Sequence, residues 1–212
     1  MATEIIPALL VRTKRELESG LERLRGVSPW VQVDLVGSNY LAGEEYFPAW
    51  QEFSFEADLM LAGQKEAAEA MAVLGAARIV IHAAGDSARE ALEALGQYRT
   101  GDFKIEVGIA LRSHDTVDVL KQFEGFYDYV QVMGIDHEGR QGEPPDPHGK
   151  DIELIKALRQ AYPALLIQVD GAVAPRVKEL ARVGASRLVV GSAIIQADNP
   201  KAAYKALQAA AN

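Results

Sequence analysis

Short apolar runs alternate with amphipathic stretches along the whole chain. Eight runs have the length and composition of buried strands, at 4–10, 30–36, 55–61, 78–82, 104–111, 128–133, 164–170 and 187–191. Amphipathic stretches at 14–25, 64–74, 174–183 and 199–210 are predicted to be helices. Strands that alternate with helices pair in parallel through right-handed crossovers. Eight such units predict a closed (β/α)8 TIM barrel, and the alternative is an open doubly wound sheet.

Polar residues mark where several helices begin. Thr13 and Glu16 form a capping-box pattern before the first helix, and Asp86-Ser87, Asp115 and Asp151 precede further helical stretches. Because no low-complexity linker interrupts the alternation, residues 1–212 are predicted to form a single domain.

Composition narrows the classes of partner. The net charge of −8 over 212 residues argues against nucleic acid and against an anionic membrane surface, so an anionic ligand must be held by a local site. The absence of cysteine excludes disulfides and thiolate chemistry. The apolar stretch Ile5–Val11 is too short for a signal-peptide core or a membrane span, which makes a cytoplasmic location the default expectation.

The tripeptide Gln-Val-Asp occurs twice, at 32–34 and at 168–170, each time at the end of a predicted strand. Functional groups of parallel α/β folds lie where the strands end. A carboxylate within an apolar strand is costly unless it is paired, hydrogen-bonded or used. Asp34 and Asp170 are therefore predicted to belong to an active site, and capping of the next helices is the alternative.

Short motifs at or near the other strand ends extend this pattern. They are Pro7-Ala8-Leu9-Leu10, Gln32-Val33-Asp34, Asp58-Leu59-Met60, Ile81-His82, Gly108-Ile109-Ala110-Leu111, Val132-Met133, Val169-Asp170-Gly171 and Gly191-Ser192-Ala193-Ile194. In order and rough spacing the chain resembles the ribulose-phosphate 3-epimerases over nearly its whole length, most specifically in its C-terminal third. The resemblance implies a (β/α)8 barrel that binds a phosphorylated ketose and moves a proton at the carbon next to the carbonyl.

Epimerisation of this kind sets a minimum of two catalytic groups. Inversion of a carbon through an enediolate needs one group to remove a proton from one face and a second to return a proton to the other. Asp34 and Asp170, on strands 2 and 7 of an eight-strand ring, are predicted to be this acid/base pair. The resemblance implies that the matching aspartates also contact a metal ion.

The chain departs from the family pattern at the metal. The family has His-Val-Asp on strand 2 and His-Leu-Met on strand 3, but this chain has Gln32 and Asp58 there, and Ala8 where a serine is usual. A site of Gln32, Asp34, Asp58 and Asp170 offers only oxygen ligands, which suit Mg²⁺, Mn²⁺ or Ca²⁺ better than Zn²⁺. The alternative is that no metal binds. The converging carboxylates then repel, and at least one takes up a proton near neutral pH.

Backbone amides after strands 7 and 8 are predicted to bind the phosphate. They belong to Gly171, Ala172, Gly191 and Ser192, at the starts of the segments that follow these strands. Ala172 stands where the family usually has a second glycine, which narrows or shifts the pocket if the position needs a positive φ. A simple helix start after strand 8 is the alternative reading of Gly191-Ser192.

Further residues are predicted to line the substrate pocket. Met133 ends strand 6, and His82 ends strand 4, where a histidine satisfied within the barrel is the alternative. The segment 134–150 is long enough to act as a lid. In it, Arg140 is predicted to bind phosphate and His137 to supply a proton or a ligand. Solvated side chains on a mobile loop are the alternative for both residues.

An aromatic segment follows strand 2. Tyr40, Tyr46, Phe47, Trp50 and Phe53 lie within it. Core packing is the favoured interpretation, with cover of the barrel or contact with another subunit as alternatives. Because family members commonly form oligomers, the resemblance is compatible with a homo-oligomer.

Together these features predict a phosphosugar epimerase or isomerase, an enzyme of carbohydrate metabolism that resembles D-ribulose-5-phosphate 3-epimerase. The residues at the usual metal positions favour an alternative, a non-catalytic barrel that keeps only the phosphate site. A third reading is an enzyme for a different phosphorylated substrate, with the segment 134–150 setting its specificity.

Overall fold

A computed structural model describes residues 2–100, 104–135, 139–140 and 142–212. Eight parallel strands close into a barrel in sequence order, from β1 to β8 and back to β1. The strands are β1 Glu4–Leu10, β2 Trp30–Val36, β3 Ser54–Met60, β4 Arg78–His82, β5 Glu106–Leu111, β6 Tyr129–Met133, β7 Leu166–Asp170 and β8 Arg187–Val190. The predicted TIM barrel is therefore confirmed, and the open doubly wound sheet is not formed.

Helices surround the barrel. They are α1 Lys14–Leu24, α2 Gln64–Val73, α3 Ala88–Leu95, α4 Lys150–Ala161, α5 Val177–Val183, α6 Ser192–Ile195 and α7 Pro200–Ala211. The described residues also form 3-10 helices at Gly96–Tyr98, Val117–Phe123 and Ala174–Arg176. Within the same part of the chain, no helix combines the length and apolarity that a membrane crossing requires.

One predicted helix start is confirmed and two differ from the structure. The Thr13 hydroxyl accepts a hydrogen bond from the Glu16 amide at 3.2 Å, as the capping-box pattern predicts for one of its two bonds. Beyond Asp115 the segment Val117–Phe123 forms a 3-10 helix, so the expectation of an α-helix there is wrong. Asp151 does not precede α4 but lies in its first turn, where it is fully buried.

Alternate residues of each strand face opposite sides of the barrel wall. Leu9 and Val33 pack outward in the main core between strands and helices. The inward positions form a smaller core that includes Ile6, Ala8 and Val189. Polar inward residues then occupy the ends of the strands, so the fold concentrates buried charge inside the barrel.

The aromatic segment after β2 divides between core and surface. Phe47 and Phe53 are buried, and the Phe47 ring stacks on Phe55 of β3 with centroids 3.9 Å apart. Tyr46 and Trp50 are exposed at 61% and 63%. Core packing thus accounts for the phenylalanines, while Tyr46 and Trp50 leave an aromatic surface.

Candidate active site

Three aspartates converge at the carboxyl ends of the strands. Asp34 of β2 and Asp58 of β3 are register partners, and Asp170 is the last residue of β7. Each contributes a carboxylate oxygen to a cluster in which these atoms lie within 4.8 Å of one another. Closure of the barrel brings together residues that lie far apart in the chain. We call these three residues the carboxylate cluster.

Gln32 bridges two members of the carboxylate cluster. Its Nε2 donates to Oδ1 of Asp34 at 2.8 Å and to Oδ2 of Asp170 at 3.2 Å. Ionised carboxylates only accept hydrogen bonds, so the Gln32 amide must turn its N–H groups toward them. The Gln32 oxygen instead accepts from Nε2 of Gln168 at 3.2 Å. In this arrangement Gln32 supplies hydrogen bonds to the cluster rather than a ligand oxygen.

Asp58 is held from two other strands. Nε2 of His82, at the end of β4, lies 2.7 Å from Oδ1 of Asp58, and Gln131 of β6 donates its amide to Oδ2 at 2.7 Å. Gln64 fixes the backbone of His82 by accepting from its N–H at 2.7 Å and donating to its oxygen at 3.1 Å. His82 thus belongs to the cluster's surroundings through its partner Asp58.

Burial and mutual repulsion favour protonation within the cluster. Loss of hydration raises the pKa of Asp34 well above its usual range, with further increases from the charges of Asp170 and Asp58. The same two effects, burial first and then the charge of Asp58, raise the pKa of Asp170 to about 7. The pair Asp34 and Asp170 therefore retains a proton near neutral pH, where one carboxyl can donate and the other accept.

A second polar layer lies beneath the cluster. Gln168 donates toward Oε1 of Gln131 at 2.8 Å and also contacts Glu56, and Tyr129 donates its hydroxyl to Glu56 at 2.9 Å. The sequence analysis missed the roles of Gln131, Gln168 and Glu56. One signal was present, since Gln131-Val132 repeats the Gln-Val of both Gln-Val-Asp motifs one strand away.

A cavity of about 250 Å³ opens above the cluster. Asp34 and Asp170 lie at its wall, and Met60 and Met133 add apolar surface. The turn after β7, residues 171–174, and the start of α6 form its other side. The predicted phosphate residues Gly171, Ala172, Gly191 and Ser192 are thus brought together in one cavity with the carboxylates.

The turn at 171–174, here called the phosphate loop, has an unusual backbone. Gly171 has φ 97° and Ala172 has φ 50°, both in the left-handed region. A Cβ on Gly171 would lie 2.8 Å from a side-chain carbon of Ile135, so glycine is required there for space as well as for φ. Ala172 adopts the positive φ that its position needs, although it carries a side chain.

The predicted lid is described only in part. Gly139, Arg140 and 142–145 line the cavity, and Arg140 forms an ion pair of 3.6 Å with Glu143 while its side chain remains 67% exposed. Among the described residues that line this cavity, Arg140 is the cationic side chain. His137 lies outside the described residues.

Comparison with known proteins agrees with this geometry. The model of the ribulose-phosphate 3 epimerase family matches residues 4–195. The ribulose-phosphate 3-epimerase of Schizosaccharomyces pombe is 25% identical and covers 97% of this chain and 92% of its own, and the cytoplasmic isoform from Oryza sativa is 24% identical over 98% and 93%. A crystal structure of KGPDC from Streptococcus mutans in complex with a phosphosugar has a TM-score of 0.73 at 19% identity, covering 100% of this chain and 98% of that one.

The family match spans nearly the whole barrel, from β1 to α6, and includes the carboxylate cluster and both phosphate segments. The two curated relatives extend over almost the same length. The expected family resemblance is confirmed, and with it a barrel of the phosphosugar-binding type. This chain belongs to the ribulose-phosphate 3-epimerase family.

Proposed function

We propose that this protein epimerises a phosphorylated ketose by proton transfer between Asp34 and Asp170 through an enediolate. The observation that carries the proposal is the pairing of these two carboxyls, bridged by Gln32, in a cavity whose other side is the phosphate loop and the start of α6. The cavity of about 250 Å³ suits a sugar monophosphate. The phosphosugar complex of the structural neighbour KGPDC is consistent with a ligand of that class.

Proton transfer follows from the chemistry of the pair. With its pKa near 7, Asp170 exchanges a proton at little cost near neutral pH, and the raised pKa of Asp34 keeps a proton available on the second carboxyl. Gln32 keeps both groups oriented because its carbonyl is held by Gln168. Substrate bound with its reacting carbon between the two carboxyls would lose a proton to one and regain a proton from the other.

The donor set is suited to a hard divalent cation. Asp34, Asp58 and Asp170 supply oxygen ligands and three negative charges, which match Mg²⁺, Mn²⁺ or Ca²⁺. Such an ion would stabilise the negative charge of an enediolate. The nitrogen donors that favour zinc are reduced, since β2 presents Gln32 and β3 presents Asp58, and the near nitrogen of His82 is engaged with Asp58.

The purified protein is therefore expected to carry no stoichiometric zinc or iron at the carboxylate cluster. Any ion found there should be Mg²⁺, Mn²⁺ or Ca²⁺, because hard cations prefer oxygen ligands. Elemental analysis of the wild type and of Asp34→Ala measures this directly. One equivalent of zinc or iron that disappears in Asp34→Ala would contradict the assignment.

Hydrogen exchange tests the activity itself. Incubation with D-ribulose 5-phosphate in heavy water, with and without Mn²⁺, is expected to place deuterium at carbon 3, because proton removal precedes return from solvent-exchanged carboxyls. Nuclear magnetic resonance of the recovered sugar measures the label. Binding of the sugar without any exchange would instead support a barrel that keeps the phosphate site and has lost the chemistry, the reading favoured by the altered metal positions. Exchange with other phosphoketoses only would assign a different substrate.

A further inference from the structure

An arginine outside the carboxylate cluster forms a buried ion pair. Arg176 ends the 3-10 helix after the phosphate loop, and its side chain is 12% exposed. Its Nη2 lies 2.7 Å from Oδ2 of Asp151, which is fully buried in the first turn of α4. A buried carboxylate that loses its cation is strongly unfavourable, so this pair is a fixed connection between α4 and the segment after β7.

The same guanidinium contacts the phosphate loop and the end of β6. Nε of Arg176 donates to the backbone oxygen of Ala172 at 3.4 Å. A Cβ on Gly134 would lie 3.1 Å from Nη2 of Arg176 and 2.3 Å from the oxygen of Gly171. The amide of Gly134 also donates to the oxygen of Asp170 at 2.6 Å. The arginine is thus enclosed by β6, the phosphate loop and α4.

Ala172 needs such support. A residue with a side chain at φ 50° is strained, and this conformation persists only where surrounding contacts determine it. The next turn contributes one backbone bond, from the Arg176 amide to the oxygen of Val173 at 2.8 Å. The side chain of Arg176 is the group that holds the carbonyl of Ala172 itself.

We infer that Arg176, anchored by Asp151, is a positioning residue that holds the strained phosphate loop in the conformation that binds phosphate. Its guanidinium acts on the carbonyl of Ala172 and is separate from the residues that line the cavity. The anchor also reaches the lid, because the carboxylate of Asp146 accepts from the amides of His148 and Lys150 immediately before Asp151. This inference rests on the proposed phosphate site.

The test compares Arg176→Lys, Ala172→Gly and the double variant with the wild type. Lysine keeps a positive charge for Asp151 but loses the planar fork that also reaches Ala172. Calorimetric titration with inorganic phosphate, at a temperature where all variants are folded, measures the dissociation constant. We expect Arg176→Lys to bind about tenfold more weakly, the scale set by the strain of one non-glycine residue at positive φ. In the Ala172→Gly background the same change should alter binding less than about twofold, since glycine removes that strain.

Each outcome decides the role of Arg176. A lower melting temperature with unchanged phosphate affinity would reduce Arg176 to a structural residue and overturn the inference. Weakened binding that Ala172→Gly does not restore would also overturn it, because the arginine would then contact the anion directly. Arg182→Lys on the exposed side of α5 is the matched control and should leave affinity unchanged. If Arg176→Lys fails to fold, Asp151→Asn, which leaves the arginine in place, should weaken binding in the same direction.

Failure of the proposed phosphate site has a different signature. A wild type that binds neither inorganic phosphate nor D-ribulose 5-phosphate would overturn both proposals. A wild type that binds them while Arg176→Lys binds equally well would overturn the role of Arg176 alone.

Discussion

Asp170→Asn and Asp34→Asn are each expected to reduce deuterium exchange at carbon 3 by at least about a hundredfold, the usual scale for a positioned acid or base. Asparagine keeps the size of the side chain but cannot take up or return a proton. Initial rates of label incorporation, measured at saturating sugar, check the effect. Exchange at the wild-type rate in either variant would remove that residue from the mechanism.

The controls separate loss of chemistry from loss of fold. The folded-state pKa of Asp170 is raised to about 7 from its usual 3.8, so the folded protein binds more protons than the unfolded chain between these values. Its contribution therefore lowers stability as pH rises through that window. In metal-free protein at pH 8, Asp170→Asn should melt at a higher temperature than the wild type. Asp118→Asn, at an exposed aspartate on the outer 3-10 helix, should change neither property.

Gly191→Glu is expected to abolish the thermal stabilisation by phosphate. Ligand that binds only the folded state stabilises by about 2.7 kcal/mol at a hundredfold excess over its dissociation constant. Glutamate at residue 191 adds bulk and negative charge at the wall of the cavity, where an anion would lie. Melting temperatures with and without inorganic phosphate or a phosphosugar provide the measurement.

Gly191→Ala distinguishes the charge from the mere presence of a side chain. The methyl group adds little volume and no charge, so this variant should retain part of the phosphate shift. A full shift in Gly191→Glu would place the anion at another site. That result would leave the carboxylate cluster in place without a phosphate site beside it.

The elements of the barrel could be predicted because their signals are local. The bounds of β1, β2 and β4 agree with the prediction, since each is an apolar run with clear ends. The remaining strand bounds shift by one or two residues, where polar positions such as Lys104 and Asp128 flank the run. The helix expected after Asp115 failed because the segment forms a 3-10 turn, a distinction that periodicity over so few residues does not make.

The candidate site was only partly predictable. Asp34, Asp58 and Asp170 could be singled out because an ionisable group at the end of an apolar strand is unusual wherever it occurs. The orientation of Gln32 depends on Gln168, which is distant in the chain and adjacent only after closure of the barrel. Neighbouring sequence does not specify which partner satisfies a buried amide.

The sequence by itself determined the order of strands and helices and the strand ends that carry the carboxylates, since these follow from local patterns of apolar and polar residues. Tertiary structure alone decided that Gln32 faces the carboxylates with its nitrogen, that Ala172 takes a left-handed conformation and that Arg176 pairs with Asp151. The physical reason is that a buried polar group must find a partner, and in a closed barrel that partner comes from whichever strand or loop lies beside it in space.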